Sequence, residues 1–473
     1  MPSGRLSITY RYAATGVNEA RTLTLVAAMK IVLVSTYELG HQPFGLASPR
    51  AWLARAGHEV ACADLAVEAL PEDLVREAEL IAFYLPMHTA TRLAVPVIER
   101  VRRLNPRARL ACYGLYAPIN SDLLRELGVD AIAGGEFESA LVRLAEGETI
   151  PEISEISLDR QVFLKPERRG LPELGRYAKL RQNGDVKLVA YTEASRGCKH
   201  VCRHCPVTPV YNGTFRIVGR ETVLEDIRQQ VAAGARHVTF GDPDFFNGPT
   251  HAMAIVEALH AEFSEVSYDA TIKIEHLRRH RKLLATLKDT GCLFVTSAVE
   301  SLDDAVLQKL EKNHTRRDFE DAARDMRSIG LALQPTFLAF TPWTTIESYR
   351  DLLRTLAALD LVEQVAPVQL ALRLLITHSS RLLELEDVRG VTGAFDSNAL
   401  TYPWKHPDAA MDALAARVFR LVSELQAQKR SRAEIFAAVW DAAEAGPQPR
   451  LVSGPPAAYV DEPWYCCAEP VPV

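Results

Sequence analysis

The sequence VKLVAYTEASRGCKHVCRHCP, at residues 186–206, joins the pattern of a strand to a loop that holds three cysteines. Its first seven residues are mostly apolar, which is typical of a buried strand in a parallel sheet. The loop that follows contains Cys198, Cys202 and Cys205. A structural zinc site uses four protein ligands, and disulfides use cysteines in pairs. Three cysteines in one loop therefore indicate a site with one position open to another ligand.

The pattern downstream repeats a unit in which a helix ends at a glycine and a strand follows. Gly234, Gly291 and Gly330 each stand just before an apolar strand pattern, and about six such units occupy residues 186–400. Strands that alternate with helices form parallel sheets. Because a closed barrel of this kind has eight units, the sequence predicts a partial (β/α)6 barrel. The cysteine loop falls at the carboxyl end of its first strand, where such barrels carry their chemistry.

An earlier series of strand and helix patterns occupies residues 29–150. It opens with KIVLVST at 30–36, a continuous apolar run that predicts a buried parallel strand. Helix patterns end at Gly57 and Gly128, as expected for glycine in a left-handed cap. The alternation predicts an α/β domain with a doubly wound parallel sheet. Ligands of such sheets bind beyond the carboxyl ends of the strands.

The remaining segments carry weaker signals. Residues 1–28 precede Met29 and are expected to be a disordered extension or the result of a start codon placed too early. Residues 151–185 contain several Pro, Gly and Arg residues and read as a linker. Residues 401–445 have the periodicity of helices, and residues 446–473 form a Pro- and Gly-rich coil that ends in WYCCAEPVPV.

Composition excludes several classes of function. The chain has 473 residues and a formal net charge of −6, so no basic excess favours nucleic acid as the partner. No apolar run approaches the ~20 residues that a membrane span needs. Eight cysteines without a secretory signal pattern indicate a reducing compartment, and we expect a cytoplasmic protein.

Thiolate chemistry leaves two interpretations of the cysteine loop. Iron–sulfur clusters are held by cysteine thiolates, and three cysteines cover three of the four irons of a cubane cluster. The open iron then binds a substrate or cofactor. The alternative is a non-catalytic zinc protein in which His200 or His204 completes a Cys₃His site. The position of the loop at the end of a barrel strand favours the catalytic interpretation.

The spacing Cys198-x3-Cys202-x2-Cys205, after a strand that opens a (β/α)6 series, resembles the signature of the radical S-adenosylmethionine (SAM) superfamily. The resemblance implies a 4Fe–4S cluster whose open iron binds SAM. One electron from the cluster then cleaves SAM and generates a 5′-deoxyadenosyl radical. It also implies a small-molecule substrate and an electron donor such as flavodoxin or ferredoxin. In this superfamily the residue before the third cysteine is usually aromatic and lies near the adenine; here it is His204.

Two later motifs extend the resemblance. TFGDPDFF at 239–246 resembles the motif of the second barrel strand, whose backbone receives the amino group of SAM. SAVES at 297–301 resembles a segment that approaches the ribose or the methionine moiety. An arginine in LALRLLI at 370–376 is expected to reach the carboxylate of SAM, because a strand arginine among apolar residues needs a partner. The residues assigned to the cofactor are His204, Gly241, Asp242, Pro243, Glu300, Ser301 and Arg373.

The first domain resembles the cobalamin-binding domain that precedes the barrel in a large branch of this superfamily. Its segment GGEFE at 134–138 is similar to a Gly-Gly-Glu-x-Glu segment of that branch. However, STYELGHQPFG at 35–45 lacks the Asp-x-His-x-x-Gly motif that supplies a lower axial histidine. Two interpretations stay open: cobalamin binds without an axial ligand from the protein, or the fold persists without its cofactor. We favour the second and expect His41 to be a loop residue.

The adjacent thiols Cys466 and Cys467 form the third notable feature. The segment CCAEP at 466–470 resembles the tail of the CUAEP/CCAEP radical SAM group, in which selenocysteine or cysteine occupies the first position. Exchange of sulfur for selenium in one position implies a reactive nucleophile or a soft ligand. We therefore assign both cysteines as catalytic candidates, with methyl transfer or thiol chemistry as candidate reactions. The alternative is a coil with two incidental thiols.

Overall fold

The computed structural model describes residues 28–148, 155–449 and 457–462, together with two short strands, β1 (Ser7–Ile8) and β2 (Leu23–Thr24), which pair antiparallel. The rest of the expected extension before residue 28 lies outside the described residues, as do Cys466 and Cys467. Among the described helices, none combines the length and the apolar character needed to cross a membrane.

The first domain is a parallel sheet with helices on both faces, as the alternating pattern predicted. Its long strands are apolar and buried, and they separate two apolar clusters that the helices complete. The elements are β3 (Lys30–Ser35), α1 (Phe44–Arg55), β4 (Glu59–Asp64), α2 (Glu72–Glu77), β5 (Leu80–Tyr84), α3 (His88–Leu104), β6 (Arg109–Tyr113), α4 (Tyr116–Ile119), α5 (Ser121–Glu126), β7 (Ala131–Gly135), α6 (Glu138–Ala145) and β8 (Glu155–Ser157). The described strands pair in the order β4-β3-β5-β6-β7-β8, so the sheet winds in both directions from β3.

The second sheet forms the partial barrel, and its largest apolar core lies between the strands and the surrounding helices. Its elements begin with β9 (Lys179–Gln182), β10 (Asp185–Thr192), β11 (Ser195–Gly197), α7 (Thr208–Tyr211), β12 (Phe215–Ile217), α8 (Arg220–Ala232), β13 (His237–Phe240), α9 (Pro249–Glu262), β14 (Ser267–Thr271), α10 (Ile274–Arg279) and α11 (Leu284–Asp289). They continue with β15 (Cys292–Glu300), α12 (Asp304–Lys309), α13 (Arg316–Ser328), β16 (Ala332–Phe337), α14 (Ile346–Ala358), α15 (Glu386–Arg389), α16 (Ala409–Ala427), α17 (Arg432–Ala442) and β17 (Tyr459–Val460).

Parallel pairing runs through β10, β13, β14, β15 and β16, which are the first five strands of the predicted barrel. The sixth unit is reduced. Residues Pro367–Leu370 form a 3₁₀ turn, and a single parallel bridge joins Phe340 to Arg373. The proline in this segment removes one backbone donor, which disfavours a continuous ladder. The helical extension expected at 401–445 is present as α16 and α17.

Within the segment expected to be a linker, 151–185, the described residues from 155 onward contact both domains. β8 extends the first sheet, and β9 pairs antiparallel with β10 in the second. Between these strands, the buried side chain of Arg168 forms an ion pair with Asp226 of α8 at 2.7 Å. Short strands with polar residues give no clear periodicity, so the sequence pattern did not indicate β8 and β9.

The expected C-terminal coil also contributes to the barrel. β17 pairs antiparallel with β9, and Ala458 O accepts a hydrogen bond from Gln334 Nε2 of β16 at 2.6 Å. Val460 packs with Leu180 and Val189 in a small apolar cluster. β17 therefore lies between the two outer strands of the partial barrel and covers the gap between them.

Candidate active site

The cysteine loop follows β10 at the carboxyl end of the barrel and is held at its base by the antiparallel pair of β11 and β12. Gly197 adopts a φ of +74°, and a Cβ at this position would lie 2.4 Å from the Tyr211 ring and 2.5 Å from Thr214 O. Only glycine fits this turn. Cys198 N donates to Thr214 O at 3.1 Å, which fixes the start of the loop.

The three loop cysteines carry thiols, and two of them, Cys198 and Cys202, are buried. Cys205 N donates to Cys202 O at 3.2 Å, so the last two cysteines share one tight turn. Lys273 Nζ lies 3.7 Å from Cys202 Sγ. Burial raises the pKa of the Cys198 thiol to about 12, so a positive ligand is needed to favour its thiolate. Three cysteines in one loop, one of them beside the Lys273 ammonium group, fit the requirements of an iron–sulfur cluster.

Gly241, Asp242 and Pro243 follow β13 and lie beside the base of the cysteine loop. The buried Asp242 carboxylate accepts hydrogen bonds from Ala194 N at 2.9 Å and Ser195 Oγ at 2.5 Å. Burial raises the pKa of Asp242 to about 7. A Cβ on Gly241 would lie 2.2 Å from the Tyr191 hydroxyl oxygen, so this close approach requires glycine. Asp242 thus supports the chain that leads into the loop.

Glu300 links the end of β15 to the cysteine loop. It adopts a φ of +68°, and its buried Oε1 lies 3.0 Å from His204 Nε2 and 3.3 Å from Lys312 Nζ. Burial acts to raise the pKa of Glu300, but Lys312 and His204 outweigh it and hold that pKa at about 2. Glu300 is therefore ionised and orients His204. Ser301 Oγ accepts from Asp303 N at 3.0 Å and starts the following turn.

Arg373 has a different environment from the one that the sequence led us to expect. Its guanidinium donates to Asp412 Oδ1 at 2.9 Å and to Trp404 O at 3.0 Å. It also lies 4.0 Å from the centroid of the Trp404 ring. Both partners belong to the helical extension at 401–445, so Arg373 contacts that extension. His204 and Glu300, in contrast, contact each other beside the cysteine loop.

Sequence reasoning missed three residues of the site, of which Lys273 and Asn247 contact the loop and Lys312 contacts Glu300. Lys273 follows β14, Lys312 follows α12, and Asn247 follows β13. Asn247 Oδ1 accepts from Lys199 N at 3.1 Å, and its Nδ2 donates to Gly197 O at 3.3 Å. The lysine inside the apolar run ATIKI at 270–274 was an available signal, because a lysine among apolar residues is rarely buried without a partner. No comparable signal marks Asn247.

A buried charge network joins the first domain to the base of the loop. The Arg196 guanidinium lies 2.7 Å from Glu138, 2.7 Å from Glu193 and 3.5 Å from Glu136. Glu136 and Glu138 belong to the GGEFE segment, so its two carboxylates bind protein rather than solvent. Burial raises the pKa of Glu136 to about 7, because one guanidinium cannot neutralise three carboxylates.

The carboxyl rim of the first sheet does not fit a histidine-ligated cobalamin. The His41 ring stacks on Tyr191 of β10 with 4.6 Å between centroids, and both residues line the interior of the barrel. Over the rim itself, the Tyr84 ring lies so close to Gly45 and Gly114 that a Cβ on either would contact it. His41 therefore contacts the barrel, and His88, which begins α3 at this rim, has its Nε2 2.8 Å from Ala399 O.

A family comparison agrees with this geometry. Residues 192–356 match the model of the radical SAM superfamily, and this range runs from the end of β10 through α14. The match includes the three loop cysteines, the turn at Gly241 and the end of β15. This part of the chain is therefore similar to the radical SAM superfamily, and the match, together with the relatives below, indicates an enzyme. Nothing in these comparisons supports the alternative of a non-catalytic zinc protein.

Curated relatives differ in their activities. The chain is 24% identical over 328 residues to the hopanoid C-3 methylase of Methylococcus capsulatus. This alignment covers 64% of this chain and 62% of the methylase. It is 29% identical over 180 residues to the tRNA-2-methylthio-N(6)-dimethylallyladenosine synthase of Desulfosudis oleivorans. This second alignment covers 36% of this chain and 37% of the synthase. The chain thus spans less than two thirds of either relative.

Solved structures share the architecture at low sequence identity. The cobalamin-dependent SAM radical enzyme OxsB aligns with a TM-score of 0.67 at 13% identity, over 89% of this chain and 72% of OxsB. The radical SAM methyltransferase TsrM from Kitasatospora setae aligns with a TM-score of 0.56 at 16% identity, over 70% of this chain and 73% of TsrM. These likenesses confirm the fold: a parallel sheet followed by a partial barrel.

Proposed function

We propose that this protein is a radical SAM enzyme that holds a 4Fe–4S cluster on Cys198, Cys202 and Cys205 and acts on a small molecule. The observation that carries the proposal is the set of three cysteines in one loop at the carboxyl end of the first barrel strand. When bound there with SAM, the cluster supplies the electron that cleaves the cofactor and releases a 5′-deoxyadenosyl radical. Flavodoxin or ferredoxin is the class of partner proposed to deliver that electron.

Residues around the loop are proposed to position the cofactor. The Lys273 ammonium beside Cys202 Sγ offsets the negative charge of thiolates in a buried site. The backbone at Gly241, Asp242 and Pro243 faces the same cavity as Gly197 and is proposed to receive the amino group of SAM. Because the carboxylate of Glu300 already contacts His204 and Lys312, we assign Glu300 a positioning role for the residue before Cys205.

The interior of the barrel offers a ligand both apolar surface and hydrogen-bonding side chains. A cavity of about 100 Å³ inside it is lined by hydroxyl, amide and carboxylate side chains from several strands. These groups offer both donors and acceptors to a ligand. The polar lining comprises Thr239, Asp269, Thr271, Thr296, Gln334, Thr336 and Gln369. Methyl transfer and thiol chemistry are the candidate reactions, and cobalamin bound to the first domain without an axial ligand from the protein stays open as a further cofactor.

The proposal is tested by reconstituting the purified protein with iron and sulfide under anaerobic conditions. We expect about four irons and four sulfides per chain, an electron paramagnetic resonance signal that shifts when SAM is added, and 5′-deoxyadenosine after reduction. The shift follows because SAM occupies the iron that no cysteine covers. Stoichiometric zinc without 5′-deoxyadenosine under reducing conditions contradicts the proposal.

We further propose that Cys466 and Cys467 of the tail reach the mouth of the barrel cavity. Glu462, which follows β17, hydrogen-bonds to the Tyr37 hydroxyl and lines the barrel cavity together with Gly241 and Asp242. Cys466 is four residues further along the chain. Four extended residues span about 14 Å, so both tail thiols lie within reach of the cavity that Glu462 already borders.

A thiol-protection experiment tests the position of the tail. In the reconstituted protein, bound SAM is expected to slow maleimide labelling of Cys466 and Cys467 several-fold, because the cofactor covers the cavity mouth. Mass spectrometry of tryptic peptides gives the labelling rate of each cysteine. Cys62, which is half-buried in β4 of the first domain, is the internal control and should label at the same rate with or without SAM. Equal rates at the tail cysteines contradict the proposal.

A further inference from the structure

Three side chains beside the cysteine loop converge on one point without using any cysteine. The ligand atoms of His200, Asp244 and His276 all lie within 4.8 Å of one another. His276 Nδ1 is 2.7 Å from Asp244 Oδ2, and His200 Nε2 is 3.7 Å from the same oxygen. His200 comes from the loop between Cys198 and Cys202, Asp244 follows β13, and His276 lies on α10.

Burial makes this convergence costly unless something binds there. The side chains of Asp244, His276 and His200 are 0%, 3% and 10% exposed. Nevertheless, Asp244 Oδ2, His276 Nδ1 and His200 Nε2 have no hydrogen-bond partner among the described residues. The short contact between Asp244 and His276 therefore lacks hydrogen-bond geometry. Buried polar atoms without a partner destabilise a fold, so three that face one point favour a bound ligand.

The surrounding contacts orient these atoms as a ligand set. Asp244 Oδ1 accepts from Phe246 N at 3.3 Å and from Lys273 N at 3.4 Å, which turns Oδ2 toward the two histidines. The other nitrogen of His200, Nδ1, lies 3.6 Å from Glu275 Oε2. This separation is too long for a hydrogen bond, and Glu275 Oε2 has no hydrogen-bond partner among the described residues. Glu275 would have to move closer to act as the outer partner of a metal-bound His200.

The donor set defines the class of ion. Two imidazole nitrogens and one carboxylate oxygen suit Fe²⁺, Zn²⁺ and related first-row ions better than Ca²⁺ or Mg²⁺, which prefer oxygen ligands. With bonds of about 2.1 Å, one ion spans ligand pairs up to about 4.2 Å apart. The separations of 2.7 and 3.7 Å lie within this range.

We propose that His200, Asp244 and His276 bind a divalent first-row transition metal ion, separate from the cluster on the three cysteines. Such an ion ties the middle of the cysteine loop to the ends of the second and third barrel strands. The site differs from the Cys₃His zinc alternative because it contains no sulfur ligand. Three protein ligands leave further positions on the ion for water or another small ligand.

Cobalt binding tests the proposal in a form that does not depend on the cluster. The variant with Cys198, Cys202 and Cys205 all changed to Ser lacks the cluster ligands. We expect it to bind one Co²⁺ per chain, with weak visible ligand-field bands and no sulfur-to-cobalt charge-transfer bands. Adding His276→Gln or Asp244→Asn should weaken Co²⁺ binding at least tenfold. His280→Gln is the matched control, because the His280 ring lies 5.9 Å from that of His276 but is not part of the ligand set.

The reconstituted holoprotein provides the second arm. We expect metal analysis to find one ion beyond the irons of the cluster, and Asp244→Asn to lose that ion. Iron, sulfide and 5′-deoxyadenosine are measured in the same samples, so a failure of the proposed enzyme activity is seen separately from a failure of this site. Absence of Co²⁺ binding in the triple Ser variant, or equal binding with His276→Gln, overturns the proposal. Circular dichroism confirms that each variant is folded.

Discussion

Replacement of Cys198 with alanine is expected to abolish cluster assembly and to reduce 5′-deoxyadenosine formation to the level of a sample without protein. Cys198 is a buried thiol at the start of the loop, and Asn247 Oδ1 lies 3.8 Å from its sulfur. Alanine removes one of three thiolates, and the remaining two cannot hold a cubane cluster with one open iron. The same loss is expected for Cys202→Ala and Cys205→Ala.

Cys112→Ala is the matched control for these variants. Cys112 is a free, fully buried thiol in β6 of the first sheet, so its loss leaves a small core cavity without touching the loop. Iron and sulfide content, the visible absorption of the reconstituted protein and 5′-deoxyadenosine yield are measured for all four proteins. A Cys198→Ala protein that retains both a full cluster and cofactor cleavage contradicts the assignment.

Replacement of Arg196 with methionine is expected to destabilise the protein by about 3–5 kcal/mol, because it leaves buried carboxylates without their cation. Only 6% of the Arg196 side chain is exposed, and it contacts Glu136, Glu138 and Glu193. Methionine keeps most of the volume and removes the charge. Urea unfolding at pH 7 measures the effect. Arg76→Met is the control, because Arg76 pairs with Glu72 at the surface, where a pair contributes under about 1 kcal/mol.

The same network predicts a pH dependence. The folded pKa of Glu136 is raised from 4.5 to about 7 by burial, so the folded state holds this proton more tightly than the unfolded state. The resulting stability is present below pH 4.5 and is lost as the pH rises toward 7. Glu136→Gln removes this loss, so the variant should gain stability relative to the parent between pH 5 and pH 8. An Arg196→Met protein as stable as the parent, or a Glu136→Gln difference independent of pH, contradicts this account.

Much of the fold follows from local patterns in the sequence. Apolar strands and glycine-capped helices predicted both parallel sheets, because a strand buried on two faces has no room for polar residues. The cysteine loop was also readable, since its spacing and its position after a strand are both local. These features depend on residues that are close in sequence, such as Gly197 and Cys198.

The contacts that complete the site depend on residues distant in sequence. Lys273 contacts Cys202 at the mouth of the barrel. No sequence pattern around Lys273 predicts that a thiol lies beside it. Arg373 was expected to bind the cofactor, yet a carboxylate and an aromatic ring on the extension contact its guanidinium. An arginine among apolar residues requires a partner, but the sequence does not identify which acceptor group contacts its guanidinium. β17, with two residues, is too short to give any periodicity.

The placement of β17 bears on how the chain is made. On the ribosome, β9 and the five parallel strands emerge long before Tyr459 and Val460 are translated. Until then one side of β9 offers unpaired backbone groups, which is the kind of strand that recruits other chains. In a fragment that ends at residue 445, this edge of β9 stays unpaired, with or without bound cofactors. Expression of the barrel without residues 457–462 should therefore yield aggregates, and fusion partners are better placed at a site other than this terminal strand.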